Sequence, residues 1–122
     1  MAIVYRDPIV IAELLCTQLL DETVMDRIAG DITDAMRNRQ PPLLIISFAR
    51  VQHLSSMALR TLLNLRRELM EKQGQIRLAA IRPEIREVFA TTRLDTLFQI
   101  HSDTEEAVAK MQVWLRLVKG NR

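Results

Sequence analysis

The chain has 122 residues, which is the length of one ordinary domain. Its 48% of apolar residues and its net charge of only +2 exclude a disordered chain and predict a packed core. The balance of 17 basic against 15 acidic residues and the 4% of aromatic residues argue against direct binding of nucleic acid, and the single cysteine excludes an intrachain disulfide.

The first part of the chain predicts a β-hairpin followed by an apolar connection. Residues 3–5 and 9–12 are short β-branched runs, and Asp7 with Pro8 between them is typical of a turn. Residues 13–22 are rich in leucine and fit either a backward extension of the next helix or a loop. We favour a loop, because the residue that follows has the features of a helix cap.

A helix and a buried strand are predicted next. Thr23 is the expected N-cap, and apolar residues recur at helical spacing over residues 24–38. Pro41 and Pro42 end this helix. Residues 43–48 show no polar alternation, which is typical of a central strand in an α/β sheet that is buried on both faces.

The longest amphipathic pattern lies over residues 56–73 and predicts the second helix. Gly74 is expected to end it in the left-handed backbone conformation. A strand over residues 76–81 follows, and Pro83 suits the first position of a third helix that ends near residue 91.

Residues 94–100 predict a loop and an edge strand. The last helix then starts at one of two capping boxes, formed by Ser102 with Glu105 or by Asp103 with Glu106.

The last helix is predicted over residues 104–117, with residues 119–122 as a frayed tail outside a single domain of residues 1–118. The predicted order is β-β-α-β-α-β-α-β-α. Because each later strand is reached through a helix, those strands should be parallel, whereas the opening hairpin is antiparallel. The fold class is therefore α/β, with a small, mixed and largely parallel sheet of four to five strands and about four α-helices.

No set of residues has the spacing of a catalytic or metal site. His53 and His101 lack metal-ligand spacing, and the chain has no glycine-rich phosphate loop. His53 precedes Ser56 by three residues, but a hydrolase is the minority interpretation because this spacing does not establish geometry. We therefore expect a protein that is not an enzyme and has no cofactor. Charges in residues 1–13 interrupt the apolar runs, so neither a signal peptide nor a membrane span is predicted, and a cytoplasmic protein is expected.

Two adjacent hydroxyls, those of Ser55 and Ser56, lie where the buried strand has ended and the long helix begins. A helix N-terminus has unpaired N–H groups and a partial positive charge. A hydroxyl at this point can cap the helix, and a phosphate would be held by the same donors.

The surrounding sequence resembles the STAS domain, the family of bacterial anti-sigma factor antagonists that also occurs as the tail of sulfate transporters. The resemblance rests on residues 44–59, on Gly74, and on residues 83–98, which read PEIREVFATTRLDTLF. At the key loop, Ser55 stands where the family usually has Asp, and Ser56 stands at the serine that a cognate kinase phosphorylates in regulated members. Met57 replaces a second Ser, and Ala58 replaces Gly.

This resemblance implies a partner switch. The unmodified domain would bind an anti-sigma factor that is also a serine kinase with a histidine-kinase-like ATPase fold, and phosphorylation of Ser56 would break the complex. The expected partner-binding residues are Ser55, Ser56, Met57, Ala58 and Arg60, on a monomer or weak dimer. Two alternatives stay open, namely a STAS scaffold in which Ser56 is only a helix cap and a STAS module that binds a small ligand or nucleotide.

Overall fold

A computed structural model describes the backbone of residues 1–120 and the side chains of residues 1–118. The predicted order of elements is confirmed, with two very short strands added. The strands are β1 (Ala2–Arg6), β2 (Ile9–Glu13), β3 (Gln18–Leu19), β4 (Leu43–Ser47), β5 (His53–Leu54), β6 (Gln75–Ala79) and β7 (Gln99–His101). The helices are α1 (Glu22–Met36), α2 (Ser56–Glu71), α3 (Pro83–Thr91), a 3-10 turn (Leu94–Thr96) and α4 (Thr104–Gly120).

Five strands form one sheet in the order β1-β2-β4-β6-β7, and only the β1–β2 pair is antiparallel. The prediction of a mixed, largely parallel sheet is therefore confirmed. Strand β4 occupies the middle of the sheet and is buried along its whole length. The strands β3 and β5 form a separate parallel pair beside this sheet.

Helices cover both faces of the sheet because successive strand residues point to opposite sides. Val10, Leu44 and Leu78 belong to the core beneath α1, α2 and α3. Ile11 and Ile45 belong to a smaller core beneath α4. Within the described part of the chain, no helix combines the length and hydropathy needed to cross a membrane.

The start of α1 differs from the prediction. The N-cap is Asp21 rather than Thr23, and its Oδ1 accepts a hydrogen bond from the backbone N–H of Thr23 at 2.7 Å. The helix therefore begins at Glu22 and ends at Met36, two residues before the predicted end. The preceding segment is mostly loop, as predicted, but it also contains β3.

Gly74 has a different role from the one predicted. Gln73 takes the left-handed conformation that closes the helix, with a φ of 62°, whereas Gly74 has no positive φ. A Cβ at residue 74 would lie 2.1 Å from the carbonyl oxygen of Pro42. Glycine is required here because two backbone segments approach closely, and α2 itself ends at Glu71.

The third helix begins at Pro83, as predicted, and the edge position of β7 is also confirmed. Of the two capping boxes predicted for the start of α4, the structure has the one formed by Asp103 and Glu106. The Asp103 carboxylate accepts a hydrogen bond from the N–H of Glu106 at 2.8 Å. Helix α4 extends to Gly120, beyond its predicted end at residue 117. The predicted frayed tail of residues 119–122 therefore begins inside this helix, and residues 121 and 122 lie outside the described residues.

Candidate functional site

The connection between β4 and α2 is held by backbone hydrogen bonds to the segment that precedes α1. The N–H of Gln52 donates to the carbonyl of Thr17 at 2.7 Å, and the N–H of Ser55 donates to the carbonyl of Leu19 at 2.9 Å. The pairing of β5 with β3 joins the same two segments. The start of α2 is therefore presented on an ordered support rather than on a free loop.

Ser55 is the N-cap of α2. Its backbone is extended, and its hydroxyl accepts a hydrogen bond from the backbone N–H of Ala58 at 3.2 Å. Its carbonyl accepts from the N–H of Leu59, also at 3.2 Å. The scaffold interpretation, in which Ser56 is the cap, is wrong on this point because the neighbouring serine has that role.

Ser56 is the first residue of α2, and its side chain is exposed. Within the described residues, neither its hydroxyl nor its backbone N–H makes a hydrogen bond. The first turn of α2 contains no acidic residue, and the exposed Arg60 lies one turn further along the helix. The hydroxyl is thus accessible and lies in the positive field of a helix N-terminus.

The five predicted partner-binding residues differ in solvent exposure. Met57 is 37% exposed, and Ser56 and Arg60 are exposed as well, whereas Ser55 is half-buried. Ala58 is completely buried, and its N–H is already bonded to Ser55. The inclusion of Ala58 in a contact surface is therefore wrong, because its methyl group packs into the core beneath α2.

His53 does not approach the serines in a catalytic arrangement. It lies exposed on β5, and no hydrogen bond joins it to Ser55 or Ser56 in the part of the chain that the structure describes. Among the same residues, no three His, Cys, Asp or Glu side chains cluster closely enough to hold a metal ion.

A polar network around the buried Arg77 and His101 lies at the same carboxyl edge of the sheet, on the face that α4 covers, and was not predicted from the sequence. The Nη1 of Arg77 lies 3.1 Å from the Nε2 of His101, and the Nδ1 of His101 lies 3.3 Å from a carboxylate oxygen of Glu106. The hydroxyl of Ser102 donates to the other oxygen of this carboxylate at 2.6 Å. The network joins β6, β7 and α4. A charged residue within an apolar strand was its only signal in the sequence.

This network changes the ionisation of its members. Burial lowers the pKa of Arg77, whose Nε has no hydrogen-bond partner within the described residues. The hydrogen bond from Ser102, followed by that from His101, lowers the pKa of Glu106. Because Arg77 must donate, the Nε2 of His101 accepts, and its Nδ1 carries the proton that faces Glu106.

Comparisons with known proteins agree with this fold. The chain is 28% identical over 72 residues to BtrV of Bordetella bronchiseptica, which is named as a candidate anti-sigma factor antagonist. This match covers 59% of the chain and 62% of the length of that protein, so less than two thirds of the relative is spanned.

Solved structures are similar over nearly the whole chain. An anti-sigma-factor antagonist (STAS) domain protein from Planctomyces limnophilus has a TM-score of 0.83 at 23% identity, covering 91% of this chain and 97% of that one. The anti-sigma factor antagonist SpoIIAA in its unphosphorylated form has a TM-score of 0.77 at 22% identity, covering 91% and 95%. The phosphorylated form of SpoIIAA, a Bacillus protein, has a TM-score of 0.68 at 22% identity, covering 90% and 97%.

The sequence model of the STAS domain matches residues 8–107, which is most of the chain. The matched region begins just before β2 and ends inside α4, so it contains the central strand, the start of α2 and all of α3. This chain belongs to the STAS domain family.

Proposed function

We propose that this chain is an anti-sigma factor antagonist, a protein-binding regulator that is not itself an enzyme. The observation that carries the proposal is the exposed hydroxyl of Ser56, which makes no hydrogen bond within the described residues, at the first position of α2 in a STAS domain. The surface formed by Ser56, Met57 and Arg60, with the edge of Ser55, binds the partner. The names of the relatives support this choice of function.

The partner is an anti-sigma factor that is also a serine kinase with a histidine-kinase-like ATPase fold. This proposal extends the family resemblance at the Ser56 position to the present chain. Such a kinase needs an accessible hydroxyl, and the exposed Ser56 offers one directly after a loop that is held by backbone hydrogen bonds to Thr17 and Leu19. Binding of the unmodified domain sequesters the anti-sigma factor in the cytoplasm and frees a sigma factor.

Phosphorylation of Ser56 then releases the partner without unfolding the domain. A phosphate adds a charge of about −1.5 to −2. The start of α2 tolerates this charge, because the N–H groups of Ser56 and Met57 have no partner within the described residues and the first turn has no carboxylate. A solved structure exists for the phosphorylated form of SpoIIAA, and it retains the similar fold.

The cost of the phosphate arises at the interface. Ser56 adjoins the exposed side chain of Met57, so a partner that covers Met57 would also bury the phosphate. A buried and poorly paired charge costs several kcal/mol, which corresponds to a loss of affinity of more than about a hundredfold. The switch is therefore electrostatic and steric, and it needs no change in fold.

The test uses the histidine-kinase-like ATPases that are encoded in the same genome. Each is purified and titrated by calorimetry with wild type, with phosphorylated wild type and with Ser56→Ala. We expect one ATPase to bind wild type and Ser56→Ala similarly and to bind the phosphoprotein at least about a hundredfold more weakly. Thr104→Glu is the control, because it places a negative charge at the first position of a different helix, α4.

Two outcomes would contradict the proposal. If the phosphoprotein binds as tightly as wild type, Ser56 is not a switch and the protein acts as a scaffold. If no ATPase binds, the regulator interpretation is wrong, and ligand-dependent thermal stabilisation would then reveal a small-molecule binder.

A further inference from the structure

An open groove of about 390 Å³ lies between helix α3 and the β3–β5 pair. Its apolar lining comes from Leu20, Leu54, Ile85 and Val88, and the polar side chains of Gln52, His53 and Glu84 complete it. Leu20 is 50% exposed, while Leu54 and Val88 are half-buried. Together, the side chains of Leu20, Leu54 and Val88 give this groove a contiguous apolar surface that solvent can reach.

The groove continues along one stripe of α3. Glu84, Glu87, Val88 and Thr91 follow one another at helical spacing and line an adjoining depression, which shares Glu84 and Val88 with the groove. Helix α3 has nine residues and is therefore about 13 Å long. A groove along a helix of this length can hold a short peptide segment of a partner but not a whole domain.

The charge of the groove is negative. Glu84 and Glu87 are both exposed, and neither forms an ion pair within the described residues. The arginines of this region, Arg82 and Arg86, do not line either depression. Two free carboxylates beside an aliphatic floor favour a segment that carries aliphatic and cationic side chains together.

The groove lies close to the proposed partner surface along the chain, because Leu54 lines it and Ser56 follows two residues later. We infer that the groove binds a segment of the same partner, in which an aliphatic side chain contacts Leu20 and Val88 and flanking lysine or arginine residues pair with Glu84 and Glu87. This inference rests on the proposed function and adds the chemistry of the bound segment.

The two halves of this extended surface carry opposite charges. The Ser56 half contains the N-terminus of α2 and Arg60, whereas the groove half contains Glu84 and Glu87. A partner therefore presents its basic segment to the groove and not to Ser56. This arrangement explains why a phosphate on Ser56 would weaken the complex, since the cationic side chains lie at the opposite half.

The test measures the affinity of the ATPase that binds wild type in the calorimetry described above. The double variant Glu84→Lys, Glu87→Lys reverses the charge of the groove. The matched control is Glu68→Lys, Glu71→Lys, which has the same spacing on the far end of α2. We expect the groove variant to bind the ATPase at least roughly tenfold more weakly than wild type, and its affinity should no longer rise at low salt. The control should change the affinity by less than about twofold.

The double variant could also affect folding, because Glu84 lies in the first turn of α3. Single substitutions at exposed positions control for this. Glu87→Lys and Leu20→Ser change only exposed side chains and should each weaken binding by about threefold to tenfold with an unchanged melting temperature. A photo-crosslinking amino acid at residue 20 should attach to a partner peptide that contains an aliphatic residue beside lysine or arginine. Attachment to an acidic or uncharged peptide would overturn the inference.

The outcomes separate the two proposals. If phosphorylation of Ser56 abolishes binding but the groove variants bind like wild type, the groove inference is wrong and the proposed function stands. If both sets of changes weaken binding, both proposals are supported. If wild type binds no ATPase, the proposed function fails and the inference fails with it.

Discussion

The N-termini of α2 and α4 are built from similar polar residues but differ in how those residues are bonded. At α4, the carboxylate of Asp103 caps the helix, Glu106 accepts from Ser102, and Glu105 pairs with Arg6 of β1. At α2, the neutral Ser55 caps the helix, and Ser56 makes no hydrogen bond within the described residues.

This difference distinguishes a helix start whose partial positive charge is neutralised by its own side chains from one whose positive charge is left exposed. The α4 start supplies its own negative charges, which neutralise the partial positive charge of the helix N-terminus. The α2 start has no acidic residue in its first turn, so the positive field remains available to an added anion. Substitutions at the α4 start should therefore act mainly on stability, and substitutions at the α2 start should act mainly on the proposed binding of the partner.

The largest stability effect is expected at the α4 start, for His101→Ala. This change removes the acceptor for Nη1 of the buried Arg77 and leaves a charged donor unpaired. We expect a loss of about 3 kcal/mol in the free energy of unfolding, measured by urea denaturation.

Arg77→Met is the matched variant, because it removes the buried charge and keeps an apolar stem of similar length. Its stability should be close to that of wild type, and it should reduce the effect of His101→Ala in the double variant. If Arg77→Met is as damaging as His101→Ala, the network stabilises the fold by more than satisfying the arginine.

The next largest losses of stability are expected when the caps of α2 and α4 are removed. Ser55→Ala removes the hydroxyl that accepts from Ala58, and Asp103→Ala removes the carboxylate that accepts from Glu106. Each should lower the free energy of unfolding by about 1 kcal/mol, with the larger loss for the charged cap. Denaturation of both variants in 1 M NaCl is the discriminating measurement, because only the loss at Asp103 should shrink with salt.

The two helix starts should also differ in their response to pH. Hydrogen bonds lower the pKa of Glu106, and the Arg6 contact lowers that of Glu105, in each case below an ordinary value of 4.5. A depressed folded-state pKa gives stability that is present above pH 4.5 and is lost as the pH falls through the folded-state pKa. Glu105→Gln, Glu106→Gln should therefore be less stable than wild type at pH 7, and this difference should shrink as the pH falls below 4.5.

The variant Ser55→Ala gives the contrast, because no acidic residue lies in the first turn of α2. Its difference from wild type should be the same at pH 3 and pH 7. A pH-dependent difference for Ser55→Ala would show that a titrating group acts on the α2 start after all.

The sequence predicts the order of the elements well because the signals for them are local. The uniformly apolar run that forms β4 and the helical periodicity of α2 do not depend on distant residues. The position of Ser56 at a helix start follows from the same two patterns. The sequence could not predict that Gln73 takes the left-handed conformation or that Gly74 lies against Pro42. Both features depend on which backbone segments touch, and a sequence does not reveal this.

The groove was also beyond reach, for a different reason. It exists because α3 packs beside the β3–β5 pair, and each of these strands has only two residues. Such short pairings produce no periodic pattern, so Leu20 appeared in the sequence as one more leucine of an apolar loop. The burial of Ala58, in contrast, could have been predicted, because Ala58 lies four and seven residues before Leu62 and Leu65 and so belongs to the buried face of α2.

The smallest effect on stability is expected for a change of the α2 cap to a charged residue. This change tests whether the absence of an acidic residue at the start of α2 matters for binding of the partner. Ser55→Asp retains a cap of equal quality and adds a negative charge where α4 has Asp103. We expect it to raise the free energy of unfolding by about 0.3–1 kcal/mol through the helix dipole.

The informative readout is the partner rather than the melting curve. If a neutral cap serves the switch, a carboxylate beside Ser56 already supplies part of the charge of a phosphate. Ser55→Asp should then weaken binding of the unmodified domain by a few-fold, while Ser55→Asn, which caps without charge, should bind like wild type. Equal affinity for the two variants would mean that the partner is indifferent to charge at this corner, and that the effect of the phosphate is steric alone.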